Sequence, residues 1–350
     1  MDGQHARLAL ALTFHTASPV LGRLLRDAGS VEPLLQRPDL WRAHLPPGIR
    51  PPATPPEHWH AWLAREGWHL IALGDPDYPP LLATLPDAPG MLFVRGDASL
   101  LRAPQLAMVG ARGASPDGVR AARGFARALA ATGLVITSGL ALGIDAAAHE
   151  GALASGRTLA VMATGGDRIY PSRHQALADR IVAGGGALVT EYPPGVGPRK
   201  AHFPLRNRLI SGLSLGVIVV EAALRSGSLI TARLAAEQGR AVFAVPGAVH
   251  NPLSRGCHRL LRDGALWLES VDDVLAEFSQ FATLAAGVES DDGPGIESDP
   301  LLGLFASGVN SLDDLIERSG LEAAELMRRL SSLEIDGRVM RLGIGYARAE

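Results

Sequence analysis

Residues 104–275 carry a two-part rhythm: a short apolar run that ends near glycine, then an alanine-rich stretch with apolar positions at helical spacing. The apolar runs are 106–111, 134–139, 158–165, 186–192, 216–222 and 241–247, and the helical stretches between them include 119–132, 144–155, 175–183 and 229–238. A strand that is apolar throughout has no solvent-facing side, so it belongs in a parallel sheet with helices on both faces. The pattern predicts an α/β fold, a doubly wound Rossmann-like parallel sheet.

Before this region, apolar positions fall at helical spacing in 5–14 and 19–28, and Ser30 is placed to cap a third helix through 32–36. Short helices joined by a Gly turn suggest a small module of the SAM or helix-hairpin-helix kind. Six prolines between Pro46 and Pro56 read as a stiff extended linker. After the α/β region, 282–299 turns to Gly, Asp, Glu and Ser, the composition of a flexible linker. Beyond it, 300–305, 311–319 and 322–336 read as helices and 338–342 with 345–348 as a hairpin, with Ser311 as an N-cap and Asp314 three residues on. Three helices and a β-wing predict a winged helix. The expected division is a helical module with its linker over 1–68, the α/β domain over 69–280, a linker over 281–299 and the winged helix over 300–350.

Composition narrows the class. With 350 residues, 47% hydrophobic and 20% charged, the chain has room for two or three domains and is neither disordered nor collagen-like. No apolar run approaches the roughly 18 residues that span a bilayer, and the N-terminus lacks the pattern of a signal peptide. The single cysteine, Cys257, excludes an intramolecular disulfide and a multi-cysteine metal site and suits a reducing cytoplasm. The net charge of −3 is unevenly spread. Residues 101–280 hold 18 Arg and one Lys against 13 acids, whereas 281–350 hold 6 Arg against 13 acids. An anionic ligand is therefore sought in the middle of the chain.

Ligands of an open parallel sheet bind beyond the carboxyl ends of its strands. Those ends here carry Gly110 with Arg112, Ser138-Gly139 running on to Gly143, Gly165-Gly166, and Ser226-Gly227-Ser228 before a helix. Glycine lets backbone N–H groups approach a phosphate, and helix N-termini favour negative charge. For any one loop, glycine is equally what a strand-to-helix turn requires. No Gly-Lys-Ser/Thr occurs, and the SGLALG stretch lacks the G-x-G-x-x-G spacing, so neither nucleotide triphosphate hydrolysis nor NAD binding has support, and no cofactor is expected. The segment 199–213 sets Arg199, Lys200, Arg206 and Arg208 around Phe203, with Asn207 among them; Lys200 is the only lysine in the chain. Cations neutralise phosphates and an exposed ring stacks bases, a pairing suited to single-stranded nucleic acid. A core Phe203 with a solvated arginine face is the competing reading of the same residues. Asp145 and His149 share a helix face at i, i+4, and Glu191, Glu221 and a Cys257-His258 pair are further titratable groups. No nucleophile accompanies them in a catalytic arrangement, so no catalytic residue and no metal ligand is assigned.

The text VGARGASPDG, SGLALGIDAAAHEGAL, GGDRIYPSRHQAL, TEYPPG, FPLRNRLISGLS, EAALRSGSLITARLAAEQGRAVFAVPG and RGCHRLLRDGA resembles the DNA-processing protein A family, also called DprA or Smf. The resemblance is dense over about residues 70–275. It implies a non-enzymatic protein that binds single-stranded DNA, protects incoming strands in natural transformation and loads a RecA-type recombinase on them. It further implies that Arg112, Lys200, Phe203, Arg206 and Arg208 form the DNA pocket. Gly110, Ser138, Gly139, Gly143, Gly165 and Gly166 would line it with N–H groups facing phosphate. Homodimerisation through the Rossmann-like domain is also implied. Three positions depart from the family's usual text: Asp117 where an aromatic is common, Thr190 where Ser is usual, and His258 where Asn is usual. A different class remains open, a nucleotide-binding enzyme of the phosphoribohydrolase type with Glu221 as its carboxylate. The acidic C-terminal segment is poorly suited to duplex DNA and fits a protein partner, or docking on the basic core, better.

Overall fold

The computed structural model describes residues 3–14, 19–37, 39–42, 45, 57–278, 301, 310–321, 323–335, 339–342 and 345–348. They belong to two compact units, 1–280 and 281–350. The proline-rich stretch 46–56 and the acidic stretch 281–299 lie outside the described residues.

In the first unit, helices α1 (Gly3–Thr13), α2 (Pro19–Ala28), α3 (Val31–Gln36), α4 (Asp39–Arg42) and α5 (Glu57–Arg65) precede strand β1 (Trp68–Ala72). Helix α6 (Pro80–Ala83) and β2 (Met91–Gly96) follow. Strands then alternate with helices: β3 (Gln105–Val109), α7 (Pro116–Ala131), β4 (Val135–Ser138), α8 (Ile144–Ala152), β5 (Thr158–Val161), α9 (Gln175–Ala183) and β6 (Ala187–Thr190). Next come α10 (His202–Leu213), β7 (Gly216–Val219), α11 (Ser228–Glu237), β8 (Ala241–Ala244), α12 (Arg255–Arg262), β9 (Leu266–Trp267) and α13 (Val271–Glu277).

The nine strands form one sheet in the order β1-β2-β6-β5-β4-β3-β7-β8-β9. β1 and β2 pair antiparallel, as do β2 and β6, and the other neighbours are parallel. All six apolar runs became strands, which gives the doubly wound Rossmann-like sheet. Strands β1, β2 and β9 were not among those runs. β1 and β2 sit amid prolines and form an antiparallel margin, and β9 has two half-exposed to exposed residues that carry no strand pattern of their own.

Every residue of β3 is buried. Leu106 and Met108 pack with Ala126 and Leu129 of α7 and Ala148 of α8, while Ala107 and Val109 point to the opposite core with Leu209 and Leu213 of α10. This two-sided burial is why the strands read as apolar throughout. Leu8, Leu25 and Val31 of the N-terminal helices share that second core with Leu70 and Leu92 of the sheet. The helices expected to stand as a module of their own thus pack within the same compact unit. Ser30 occupies the N-cap of α3, where its side chain bonds the Glu32 carboxylate and makes no capping bond to a backbone N–H.

The second unit holds β10 (Asn310–Ser311), α14 (Leu312–Ser319), α15 (Ala323–Ile335), β11 (Val339–Leu342) and β12 (Gly345–Arg348). Its sheet order is β10-β12-β11, and Leu301, Leu315, Leu326, Leu330, Leu333, Val339 and Tyr346 form its core. Two helices against a small wing make the winged-helix arrangement; the helix expected over 300–305 lies outside the described residues apart from Leu301. Among the described residues no helix is long and apolar enough to cross a membrane.

Candidate functional site

The chain winds outward from β3 to β6 and then returns to place β7 on the other side of β3. At such a reversal the loops beyond neighbouring strands diverge and leave a crevice. An open cleft of about 830 Å³ lies there. Its walls come from the loop after β3 (Gly110, Arg112, Gly113), the loop after β7 (Arg225, Ser226, Gly227) with Ser228 of α11, and the start of α10 (Lys200, Phe203, Arg206, Asn207), with Tyr170 from the loop after β5. Nine of the fifteen residues singled out from sequence line it; Ser138, Gly139, Gly143, Gly165, Gly166 and Arg208 do not.

The cleft is electropositive. Arg112, Lys200 and Arg225 are exposed there, and Arg206 adds a fourth cation from below. The guanidinium of Arg112 lies 5.2 Å from the centroid of the Phe203 ring, a cation–π contact that holds both side chains at the mouth. Tyr170 leans against Phe203 with centroids 5.6 Å apart and planes 59° to each other. A Cβ at Gly113 or Gly227 would meet nothing within 4 Å, and neither has positive φ, so at these two positions the missing side chain serves neither packing nor backbone conformation. Both face the cleft, where glycine leaves the backbone accessible to a ligand.

The only acid in the wall is Asp145, and it is committed inward. Its carboxylate accepts the N–H groups of Gly139 (3.1 Å) and Ala141 (3.3 Å). Burial pushes its pKa up, and the nearby Arg206 pulls it back down. The loop after β4, expected to offer its amides to a phosphate, has therefore already spent the Gly139 amide on a side chain of its own. Gly165 likewise donates to Val196 (2.8 Å), and Ser138 donates its hydroxyl to Met108 (2.6 Å). Gly143 has φ +75°, and a Cβ there would meet the Ala111 carbonyl at 2.2 Å; at Gly166 it would meet the Trp68 ring at 2.5 Å. These residues let loops pack closely, and the expectation that all their N–H groups face phosphate is corrected accordingly.

Two arginines of α10 are also turned inward. Arg206, 4% exposed, donates to the carbonyls of Gly139 and Val161 at the ends of β4 and β5. Burial lowers its pKa to about 10, which keeps it cationic at neutral pH. Arg208 donates through Nη2 to both oxygens of Glu191 (2.9 and 2.7 Å), with Asp87 at 3.4 Å from its Nε. Burial pushes Glu191 up to about 7 against the pull of Arg208. These two cations, expected in the pocket, instead fix α10 to the sheet, and Arg206 reaches the cleft only as its floor.

The remaining titratable groups are accounted for structurally. His149 and Asp145 do not meet: the His149 ring bonds through Nδ1 to the Thr158 hydroxyl (2.7 Å), and burial drops its pKa to about 3. Glu221 accepts both the N–H (2.8 Å) and the hydroxyl (2.6 Å) of Ser115 at the start of α7, so the carboxylate of the enzyme alternative is occupied in holding that helix. Cys257 is buried with its thiol pKa raised to about 11, and His258 bonds the Gly247 carbonyl instead. Asp117 pairs with Arg120 outside the cleft wall, and the Thr190 hydroxyl donates to Thr164 (2.8 Å). Among the described residues no group of three His, Cys, Asp or Glu could hold a metal ion. Sequence reasoning missed Tyr170 and Arg225, and Gly113; a Tyr two residues after an Arg in a strand-end loop was the available signal for the first.

Known proteins share the sequence and fold of this chain. Residues 69–279 match the family model described as DNA recombination-mediator protein A, and residues 289–343 match the DprA winged helix domain. Protein Smf of Escherichia coli is 44% identical over 296 residues, which cover 82% of this chain and 79% of that protein. DNA processing protein DprA of Streptococcus pneumoniae is 50% identical over 206 residues, 58% of this chain and 72% of that one. The X-ray structure of the Streptococcus pneumoniae protein superposes with a TM-score of 0.66 at 39% identity, covering 79% of this chain and 99% of that one. A Helicobacter pylori structure, described as showing a single-stranded DNA binding mode of DNA processing protein A, gives a TM-score of 0.55 at 31% identity over 61% of this chain and 96% of that one. A sheet reversal walled by cations, matched along most of its length by these proteins, places the chain in the DNA recombination-mediator protein A (DprA/Smf) family.

Proposed function

We propose that this chain binds single-stranded DNA in the cleft between the β3 and β7 loops and acts there as a mediator of recombination, not as an enzyme. The observation that carries the reading is the Arg112–Phe203 stack at the mouth of a cleft with four cations in its wall. Arg112, Lys200 and Arg225 neutralise phosphates, and Phe203 offers a face to an unpaired base. The relative from Helicobacter pylori, with its described single-stranded DNA binding, supports the same assignment. Within this reading the chain works in the cytoplasm, in DNA uptake by transformation, and passes the strand to a RecA-type recombinase.

The proposal includes a homodimer through the Rossmann-like unit. The terminal strand β9 exposes Leu266 and Trp267, the latter by 57%, and Leu224 is exposed nearby beside a groove between α11 and α12. These exposed apolar side chains at the sheet margin support the reading. The acidic C-terminal unit is proposed to meet a protein partner and not duplex DNA, because phosphate contact supplies most nonspecific affinity.

The test is fluorescence anisotropy of a labelled single-stranded oligonucleotide at two salt concentrations, with duplex and mononucleotide as competitors. Tight binding that weakens with salt and is displaced by single strands alone is the expected result. Displacement by an equal concentration of mononucleotide would sink the reading in favour of a small nucleotide pocket.

A further inference from the structure

Tyr170 is 46% exposed, yet its loop is rigidly held. Arg168 donates its N–H to Gly165 (3.0 Å), the Thr164 hydroxyl donates to the Arg168 carbonyl (2.6 Å), and Ile169 is buried. The loop therefore projects a tyrosine ring into the cleft from a hydrogen-bonded base. Among the described residues little covers that ring. It stands beside Phe203, whose ring already carries the Arg112 guanidinium.

The angle between the two rings decides what they can hold. Stacking requires a ring and a base to be nearly parallel, and the planes of Tyr170 and Phe203 differ by 59°. One flat base cannot stack on both. The rings form a corner, each presenting a face to a separate base. Bases in a duplex, or in a stacked single strand, lie in parallel planes, so two neighbouring bases fit this corner only if the strand turns between them.

We propose that Tyr170 is a second base platform, and that the Tyr170–Phe203 corner selects single strands by splaying two neighbouring bases. The proposal rests on the single-stranded DNA reading of this cleft and adds to it the residue and geometry that exclude duplex. Cations attract single and double strands alike, so charge alone does not discriminate between them. A fixed corner does, because a duplex would have to break its stack to enter. A phenylalanine at position 170 keeps the corner, since the argument uses the ring and not the hydroxyl.

The experiment measures affinity for a labelled oligothymidylate and for a duplex with the full-length wild type, Tyr170→Ala, Tyr170→Phe, Phe203→Ala and the Tyr170→Ala/Phe203→Ala double variant, with thermal unfolding as a control. Tyr170→Ala is expected to weaken single-strand binding about 5- to 150-fold, the range for loss of one stacked base. Tyr170→Phe is expected to retain it, and the double variant to bind more weakly than either single variant, with the two losses coupled because the rings touch. In parallel, an oligonucleotide with two adjacent 2-aminopurines should brighten on binding wild type and brighten less on Tyr170→Ala. Wild-type affinity in Tyr170→Ala together with a loss in Phe203→Ala would overturn the inference while leaving the single-strand reading standing. Equal losses in Tyr170→Phe and Tyr170→Ala would overturn it in favour of a hydroxyl contact. Failure of the wild type to bind the oligothymidylate would overturn the single-strand reading itself.

Discussion

The segment 199–208 contains two kinds of cation, and its two halves behave oppositely. Arg199 and Lys200, before α10, are exposed, and Lys200 lines the cleft with Phe203. Arg206 and Arg208, one to two turns later, are buried at 4% and 7% and spend their donors on strand-end carbonyls and on Glu191. A basic side chain thus faces the open cleft in one half and bolts helix to sheet in the other. Sequence separates them poorly because residue type and local density of charge are alike. What separates them is the helix: positions 206, 209, 210 and 213 turn towards the sheet, and the start of α10 emerges over the open crevice.

Substitutions should widen this contrast. The largest expected effect is Arg208→Ala, which strands the buried Glu191 carboxylate; removing one partner of such a pair costs about 3–5 kcal/mol, read from a urea or thermal unfolding curve. Arg206→Ala removes hydrogen bonds to the Gly139 and Val161 carbonyls and should destabilise by about 1–3 kcal/mol in the same assay. On the cleft side, Phe203→Ala should leave the melting curve nearly unchanged and weaken single-strand binding by about 1–3 kcal/mol. A smaller change is expected from Arg112→Ala: affinity falls, and the slope of log K against log salt drops by about 0.7, the share of one phosphate contact. If Arg112→Ala unfolds the protein while Arg208→Ala leaves it intact, the assignment of the two groups is reversed.

A separate effect concerns pH. Glu191 has its folded pKa raised by burial to about 7, above the ordinary value of 4.5. A raised pKa means that this group's contribution to stability is present in full below about pH 4.5 and is lost as pH rises through about 7. The urea midpoint should therefore fall between pH 5 and pH 8 by an amount that shrinks in Glu191→Gln. An unchanged pH dependence in that variant would show that Arg208 holds Glu191 ionised throughout.

The fold was legible where burial is two-sided. β3 to β7 are short, continuous apolar runs because no side of them meets water, and that composition is visible without coordinates. β9 was not legible, since two residues that are partly exposed carry no period. The cleft was legible in its location, for strand-end loops are countable along the chain. Its inventory was less so. The SGLALG loop looks like a phosphate cradle until Asp145 is seen on its amides, and that contact joins residues whose spacing alone suggested a pairing with His149 instead. Tyr170 was passed over for a similar reason: its partner, Phe203, is 33 positions away, and only the folded chain brings the rings to 5.6 Å.

The carboxylate of Asp145 has one more consequence. A Rossmann-like sheet ordinarily completes its strand-end loops with a diffusible nucleotide, so the loops stiffen or relax with the supply of that molecule. Here the acceptor is carried by α8 itself, so the loop after β4 is closed on its Gly139 and Ala141 amides from within the chain. Ala141 and Asp145 then enter the wall of the neighbouring cleft as a part already built into the fold.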